Sequence, residues 1–286
     1  MIPSRLGFGT GTLGTLGVSA TAHQVSCLLD LMLSNGISVI DTADTYGSGH
    51  AEHLLGIAMR GRRERFFLMT KAGYRYGDLP WPLRILNPFV KKALHRIGRR
   101  QRFEPKYLER CLKRSLRRLE TGWVDVFFLH DPAMTDLARP GLVEMLENLR
   151  KQGLVGELGV SSGKPEVLRM ALSSGWAKFI QCPANLVDAH RLQDVLKSCG
   201  ELGVTVVANY VFGRGNFGIP ELTHEVQMRA TSALLPDSAV ILCGTKNPQH
   251  LIQSHQWAKA PLAANEALQL LEKTIRLTAE QHAIKL

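Results

Sequence analysis

Eight short apolar runs punctuate the chain, at residues 6–12, 37–42, 66–70, 124–129, 155–160, 179–182, 204–208 and 239–243. They are apolar almost throughout rather than alternating, the pattern of parallel strands covered on both faces. Between and after them, apolar residues recur every three or four positions at 21–34, 51–60, 105–120, 141–151, 165–173, 189–200, 221–235 and 248–258. That spacing gives one buried stripe per helix. Helix stops are readable at Asn35-Gly36, Gly61, Thr121-Gly122, Gly153, Gly175 and Gly203, where glycine accepts the left-handed conformation that ends a helix.

Strand–helix alternation repeated eight times predicts an α/β fold, a (β/α)8 TIM barrel in one domain over residues 1–286, with its active residues at the carboxyl ends of the strands. A further helix is expected at about 263–286 and a loop insertion at about 75–103. The rival, an open doubly wound sheet, wants an early G-x-G-x-x-G between strand and helix. The segment Gly7-Phe8-Gly9-Thr10-Gly11-Thr12-Leu13-Gly14 lacks that spacing.

Composition narrows the setting. No apolar run approaches the roughly 18 residues of a membrane-spanning helix, and the start, Met1-Ile2-Pro3-Ser4-Arg5, has no charged-then-apolar leader. The five cysteines, Cys27, Cys111, Cys182, Cys199 and Cys243, are scattered and never paired as C-x-x-C. They read as small buried hydrophobes in a reducing compartment, so a cytoplasmic location is expected. The net charge of +10 is concentrated at Arg84, Lys91, Lys92, Arg96, Arg99, Arg100, Arg102 and Lys106. Without interleaved aromatics or a nucleic-acid motif, this cluster reads first as a solvated loop and helix face and second as a lure for an anionic ligand or membrane. No nucleic-acid partner is expected.

Ionisable residues follow three consecutive strands: Asp41, Asp44 and Tyr46 after the second, Lys71 after the third, and His130 and Asp131 after the fourth. Singly, Asp41 could start a turn, Lys71 could reach solvent and His130 could bond a loop carbonyl. Together, on adjacent strands of a barrel, they mark a catalytic face. A metal centre built from Asp41, Asp44 and His130 lacks a second histidine at ligand spacing, so no metal is expected.

On these residues the chain resembles the aldo-keto reductase superfamily, from about residue 6 to residue 257. The motifs are Asp41-Thr42-Ala43-x-x-Tyr46-Gly47-x-x-x-x-Glu52, Thr70-Lys71, Leu129-His130, Gly159-Val160-Ser161-Ser162, Gln181-x-x-x-Asn185 and Cys243-Gly244-Thr245-x-x-Pro248. The resemblance implies hydride transfer between nicotinamide C4 and the carbonyl or alcohol of a small polar aldehyde, ketone or aldose. It implies Tyr46 as general acid/base, Lys71 as the partner that lowers its pKa, Asp41 as the orienter of Lys71, and His130 as hydrogen-bond partner of the substrate oxygen. The logic is physical: an isolated phenol titrates near 10, and a neighbouring ammonium favours the phenolate.

On the cofactor side, the resemblance gives the nicotinamide carboxamide to Ser161, Ser162 and Gln181, Ser162 standing where the family often has asparagine. After strand seven the family usually reads Ala-Tyr-Ser-Pro-Leu-Gly, and this chain reads Ala208-Asn209-Tyr210-Val211-Phe212-Gly213. Asn209 thus holds the place of the stacking tyrosine. Tyr210, Phe212 and Gly213 remain cofactor-side candidates, Tyr210 only if the strand end is shifted, because neighbours on a strand face opposite sides. Gly244, Thr245, Lys246 and His250 fall where the adenosine phosphates are gripped, His250 replacing a frequent arginine and Gln253-Ser254 a frequent Glu-Asn pair. Lys246 as a point charge for a 2′-phosphate favours NADP(H), with NAD(H) the alternative. The segment between strands seven and eight is shorter than usual in the family.

Many members place tryptophans beside strand one and after the catalytic histidine, where this chain has Gly11 and Asp131. Such a site suits a hydroxylated substrate, and with Val211-Phe212 it looks more like the aldose and sugar dehydrogenase branch. Trp81, in the third loop, is either an aromatic wall of the site or a residue packed under that loop. The alternative function is a cofactor-binding regulatory or accessory barrel with little turnover.

Overall fold

Side-chain parity organises the molecule, a computed structural model that describes residues 2–14, 20–75, 101–213, 221–245 and 247–283. The eight apolar runs are parallel strands: β1 (Leu6–Gly9), β2 (Val39–Asp41), β3 (Phe67–Ala72), β4 (Val124–His130), β5 (Val155–Ser161), β6 (Phe179–Pro183), β7 (Thr205–Asn209) and β8 (Val240–Cys243). Each bonds to the next and β8 returns to β1, closing a barrel. One set of strand residues, including Val39, Met69, Phe128, Phe179 and Val207, packs together inside. The alternate set, including Ile40, Leu68, Phe127, Ile180 and Val206, packs outward with the helices. Full burial of such side chains stabilises the fold by about 1.5–3 kcal/mol each. Gly159 is required inside: a Cβ there would lie 2.6 Å from Phe128 and 2.7 Å from the Phe179 carbonyl.

The helices are α1 (Ala22–Ser34), α2 (His50–Ala58), α3 (Pro105–Arg118), α4 (Met134–Leu137), α5 (Leu142–Lys151), α6 (Pro165–Ser173), α7 (Leu186–Arg191), α8 (Gln193–Glu201), α9 (His224–Leu234), α10 (Pro248–Ala258) and α11 (Ala264–Ala283). The C-terminal α11 packs through Ala267 and Leu271 against Leu186 and Ala230, outside the barrel. The single helix expected at 189–200 is two, α7 and α8, meeting at Leu192. The first of them starts early because the Asn185 side chain accepts from the Val187 and Asp188 N–H groups. β1 is shorter than expected because Thr10–Gly14 tighten into a 3-10 turn. Among the described residues no helix is long and apolar enough to cross a membrane. Most of the expected insertion, residues 76–100 with Trp81 and six of the clustered basic residues, lies outside the described residues.

Candidate active site

The parity that turns Val39, Met69, Phe128, Phe179 and Val207 inward turns Asp41, Lys71, His130, Gln181 and Asn209 inward two positions later on the same strands. Those positions are the carboxyl ends, where apolar packing stops and a cleft of 880 Å³ begins. It is lined by Asp41, Tyr46, Lys71 and His130 and by Ser161, Ser162, Gln181, Tyr210, Phe212 and Gly244.

Lys71 is 1% exposed and its ammonium donates to both carboxylate oxygens of Asp41, at 2.7 and 2.6 Å, and to the Thr42 carbonyl at 2.9 Å. Burial alone would lower the Lys71 pKa. The Asp41 carboxylate and Tyr46 overcome this and hold it above its ordinary value, so the side chain is an ammonium. It lies 5.2 Å from the centroid of the Tyr46 ring. Burial pushes the Tyr46 hydroxyl above its ordinary value; Lys71 pulls in the expected downward direction, while Asp41 and Tyr210 add to the rise. Burial outweighs the ammonium, so Tyr46 holds its proton at neutral pH. His130 stands edge-on to Tyr46, with ring centroids 6.4 Å apart, and edge-on to Tyr74 at 4.8 Å.

Tyr46 is carried on the turn between β2 and α2. That turn is anchored by Glu52, whose fully buried carboxylate accepts from Thr70 Oγ1 at 2.6 Å and from Arg118 Nε at 2.8 Å. Asp44, left without a role by the sequence, is also buried and acts electrostatically on Tyr107 and Cys111 rather than lining the cleft.

A relay runs through the base of the cleft. The Ser161 hydroxyl donates to Gln181 Oε1 at 2.7 Å, and Gln181 Nε2 donates to Asp41 Oδ1 at 2.9 Å. Ser162 donates to Asp131 Oδ1 at 3.1 Å and accepts from the Lys164 N–H. Asn209 Oδ1 is buried with no hydrogen-bond partner among the described residues. These side chains suit a ligand that brings an amide: spare lone pairs on Ser162 and Asn209 sit in a cleft of ligand size. Tyr210 escapes strand parity because β7 stops at Asn209 and Tyr210 turns left-handed, with φ 52°. It lines the cleft at 48% exposure.

Gly213, Thr245 and His250 do not line the cleft. His250 is exposed in the first turn of α10, whose N-cap, Asn247, accepts from the Gln249 N–H. Lys246 lies outside the described residues. Sequence reasoning did not select Thr12, Tyr74, Lys164 or Leu242, which also line the cleft. The signal for Tyr74 was its place just past β3, the same logic that singled out Lys71.

A model of the aldo/keto reductase family matches residues 5–233. The chain is 28% identical over 214 residues to an uncharacterized oxidoreductase of Bacillus subtilis (strain 168), the match covering 74% of this chain and 62% of that protein. It is 26% identical over 227 residues to D-threo-aldose 1-dehydrogenase of Pseudomonas sp, covering 73% and 66%. The matched segment therefore spans under two thirds of the length of each of these relatives. Among solved structures, the holo form of an aldo-keto reductase from Bacillus halodurans superposes with a TM-score of 0.73 at 24% identity, over 94% of this chain and 91% of that one. An aldo-keto reductase from Klebsiella pneumoniae in complex with NADPH gives 0.67 at 24%, over 94% and 90%. Both structural likenesses concern the barrel fold.

Proposed function

The chain belongs to the aldo/keto reductase family, and on that premise we propose that it is an oxidoreductase interconverting a carbonyl and an alcohol of a small polar aldehyde, ketone or aldose with NADP(H). One observation carries this reading: the buried Lys71–Asp41 ion pair beside Tyr46, on the floor of a cleft walled by His130. A barrel retained only for regulation has no use for a buried ammonium next to a phenol, since the desolvation of both charges is costly.

When bound, the nicotinamide supplies or accepts hydride at C4. In reduction, Tyr46 gives its proton to the carbonyl oxygen as that oxygen gains charge, while His130 bonds the same oxygen and steers the carbonyl. In oxidation, the Tyr46 phenolate, stabilised by the Lys71 ammonium, takes the alcohol proton and becomes the neutral phenol. Asp41 fixes the ammonium, and Gln181 fixes Asp41. Ser161, Ser162 and Gln181 would hold the carboxamide, with Asn209, Tyr210 and Phe212 beside it. Gly244, Thr245, Lys246 and His250 would meet the phosphates near the N-terminus of α10, where backbone N–H groups favour anions.

The preference for NADP(H) draws support from the NADPH-bound Klebsiella pneumoniae relative and from Lys246 in the sequence. The aldose branch draws support from the Pseudomonas D-threo-aldose 1-dehydrogenase. Five free thiols, four of them buried, suit a reducing, cytoplasmic setting. Fluorescence titration with NADPH and NADH, followed by turnover on aldehydes, ketones and aldoses, tests the proposal. Tight cofactor binding with no turnover on any of them would favour the accessory barrel.

A further inference from the structure

Asp131 follows the last residue of β4 and is one of four described non-glycine residues with positive φ, at 58°. That conformation is costly for L-residues, least so for Asp and Asn, and where it persists its surroundings hold it in place. They do so here on both sides of the residue. Its N–H donates to the Ser161 carbonyl at 2.7 Å, and its carbonyl accepts from Gln101 Nε2 at 2.5 Å. The left-handed turn, directly after His130, puts the carboxylate on the wall of the cleft.

The carboxylate keeps neutral company. Oδ2 accepts from the Tyr74 hydroxyl at 2.9 Å and Oδ1 from the Ser162 hydroxyl at 3.1 Å. The ion pairs among the described residues do not include Asp131. An ionised carboxylate offers about four lone-pair sites and no donor, so two remain for a ligand that brings hydrogen-bond donors. Tyr74 links the two halves of the site, its ring against His130 at 4.8 Å and its hydroxyl on Asp131. Gly11 lines the same cleft without a side chain, and a Cβ there would make only ordinary contact with Tyr46, 3.7 Å from the ring.

We propose that Asp131 is a specificity-determining residue, its carboxylate accepting a hydrogen bond from a hydroxyl carried next to the reacting carbonyl. The preferred substrates are then hydroxylated, uncharged aldehydes, and apolar or carboxylate-bearing ones are disfavoured. The assignment rests on the oxidoreductase reading above and names the substrate class of the same cleft. Ser162 ties Asp131 to the cofactor side, so the test must separate substrate selectivity from cofactor affinity.

The experiment compares kcat/KM for D-glyceraldehyde and propanal, equal in carbon number and differing in hydroxyls, with NADPH. It uses the parent, Asp131→Ala and Asp131→Asn, with the NADPH Kd measured for each. Asn tolerates the left-handed backbone and keeps a neutral acceptor, so it serves if the alanine variant folds poorly. The parent should favour glyceraldehyde, and the ratio should fall about ten-fold or more in Asp131→Ala, chiefly through KM, with Asp131→Asn in between. Equal losses on both aldehydes, or a weaker NADPH Kd with an unchanged ratio, overturn the assignment and leave the oxidoreductase reading standing. A parent that binds NADPH but turns over neither aldehyde overturns the assignment, and inactivity on ketones and aldoses as well defeats the oxidoreductase reading too.

Discussion

At the scale of single residues, Tyr46 is where burial and charge compete. Burial raises its pKa and Lys71 opposes the rise, so the phenol is protonated through neutral pH, as the proposed role of acid in reduction requires. Reductive turnover should therefore stay level through neutral pH and fall only on the alkaline side, while oxidation, which needs the phenolate, should climb with pH. A reductive rate that falls between pH 6 and 8 (roughly the range in which histidine titrates) would assign the proton to another group. Tyr46→Phe should lower turnover roughly 10²–10⁴-fold with little change in cofactor affinity, because it removes only the proton. Lys71→Met leaves burial unopposed and should move the alkaline limb to still higher pH; an unshifted profile would break the proposed coupling. On the cofactor side, a charge-assisted contact to phosphate is worth about 1.5–3 kcal/mol. Lys246→Ala should therefore weaken NADPH about ten-fold or more and leave NADH nearly untouched, and equal losses for both would make the lysine structural.

At the scale of elements, the eight strands were legible because a parallel barrel strand has no solvated face. Runs such as Val124–His130 and Val155–Ser161 are buried over most of their length. The inward placement of Asp41, Lys71 and His130 was legible for the same reason, an ionisable side chain two positions beyond an inward apolar residue, whereas Tyr46 was visible only through its motif. What stayed hidden depends on tertiary contacts. The bridge between Tyr74 and Gln101 joins residues far apart in the chain, and the left-handed turns at Asp131 and Tyr210 carry no glycine to announce them. Glu52, visible only as a motif letter, proves to join three elements: α2 to β3 through Thr70, and α2 to α3 through Arg118. Removing one partner of such a buried pair leaves an uncompensated charge, so Glu52→Ala should cost about 3–5 kcal/mol of stability. Glu52→Gln, which keeps the hydrogen-bonding shape, should cost less. Urea denaturation reads both, and a midpoint unchanged in Glu52→Ala would mean that α2 is held by its apolar face alone.

At the scale of the whole molecule, the charge of +10 is unevenly distributed along the chain. Residues 76–100 carry six basic residues, Arg84, Lys91, Lys92, Arg96, Arg99 and Arg100, against the single acid Asp78. On either side of this stretch, Tyr74 just after β3 pairs with Gln101, and Gln101 bonds the Asp131 carbonyl at the rim of the cleft. The described residues that flank this stretch, Tyr74 and Gln101, thus lie at the carboxyl ends of the strands, beside the cleft. A field of this sign attracts a polyanionic cofactor and raises its association rate rather than the rate of chemistry. Such attraction is screened over about 8 Å at physiological salt, so the association rate of NADPH should fall steeply as salt is added. Neutralising Lys91, Lys92, Arg99 and Arg100 together should flatten that dependence and leave single-turnover hydride transfer at saturating cofactor unchanged. Stopped-flow binding over a salt series decides the matter, and equal slopes for parent and neutralised protein would reduce the cluster to a solubilising surface.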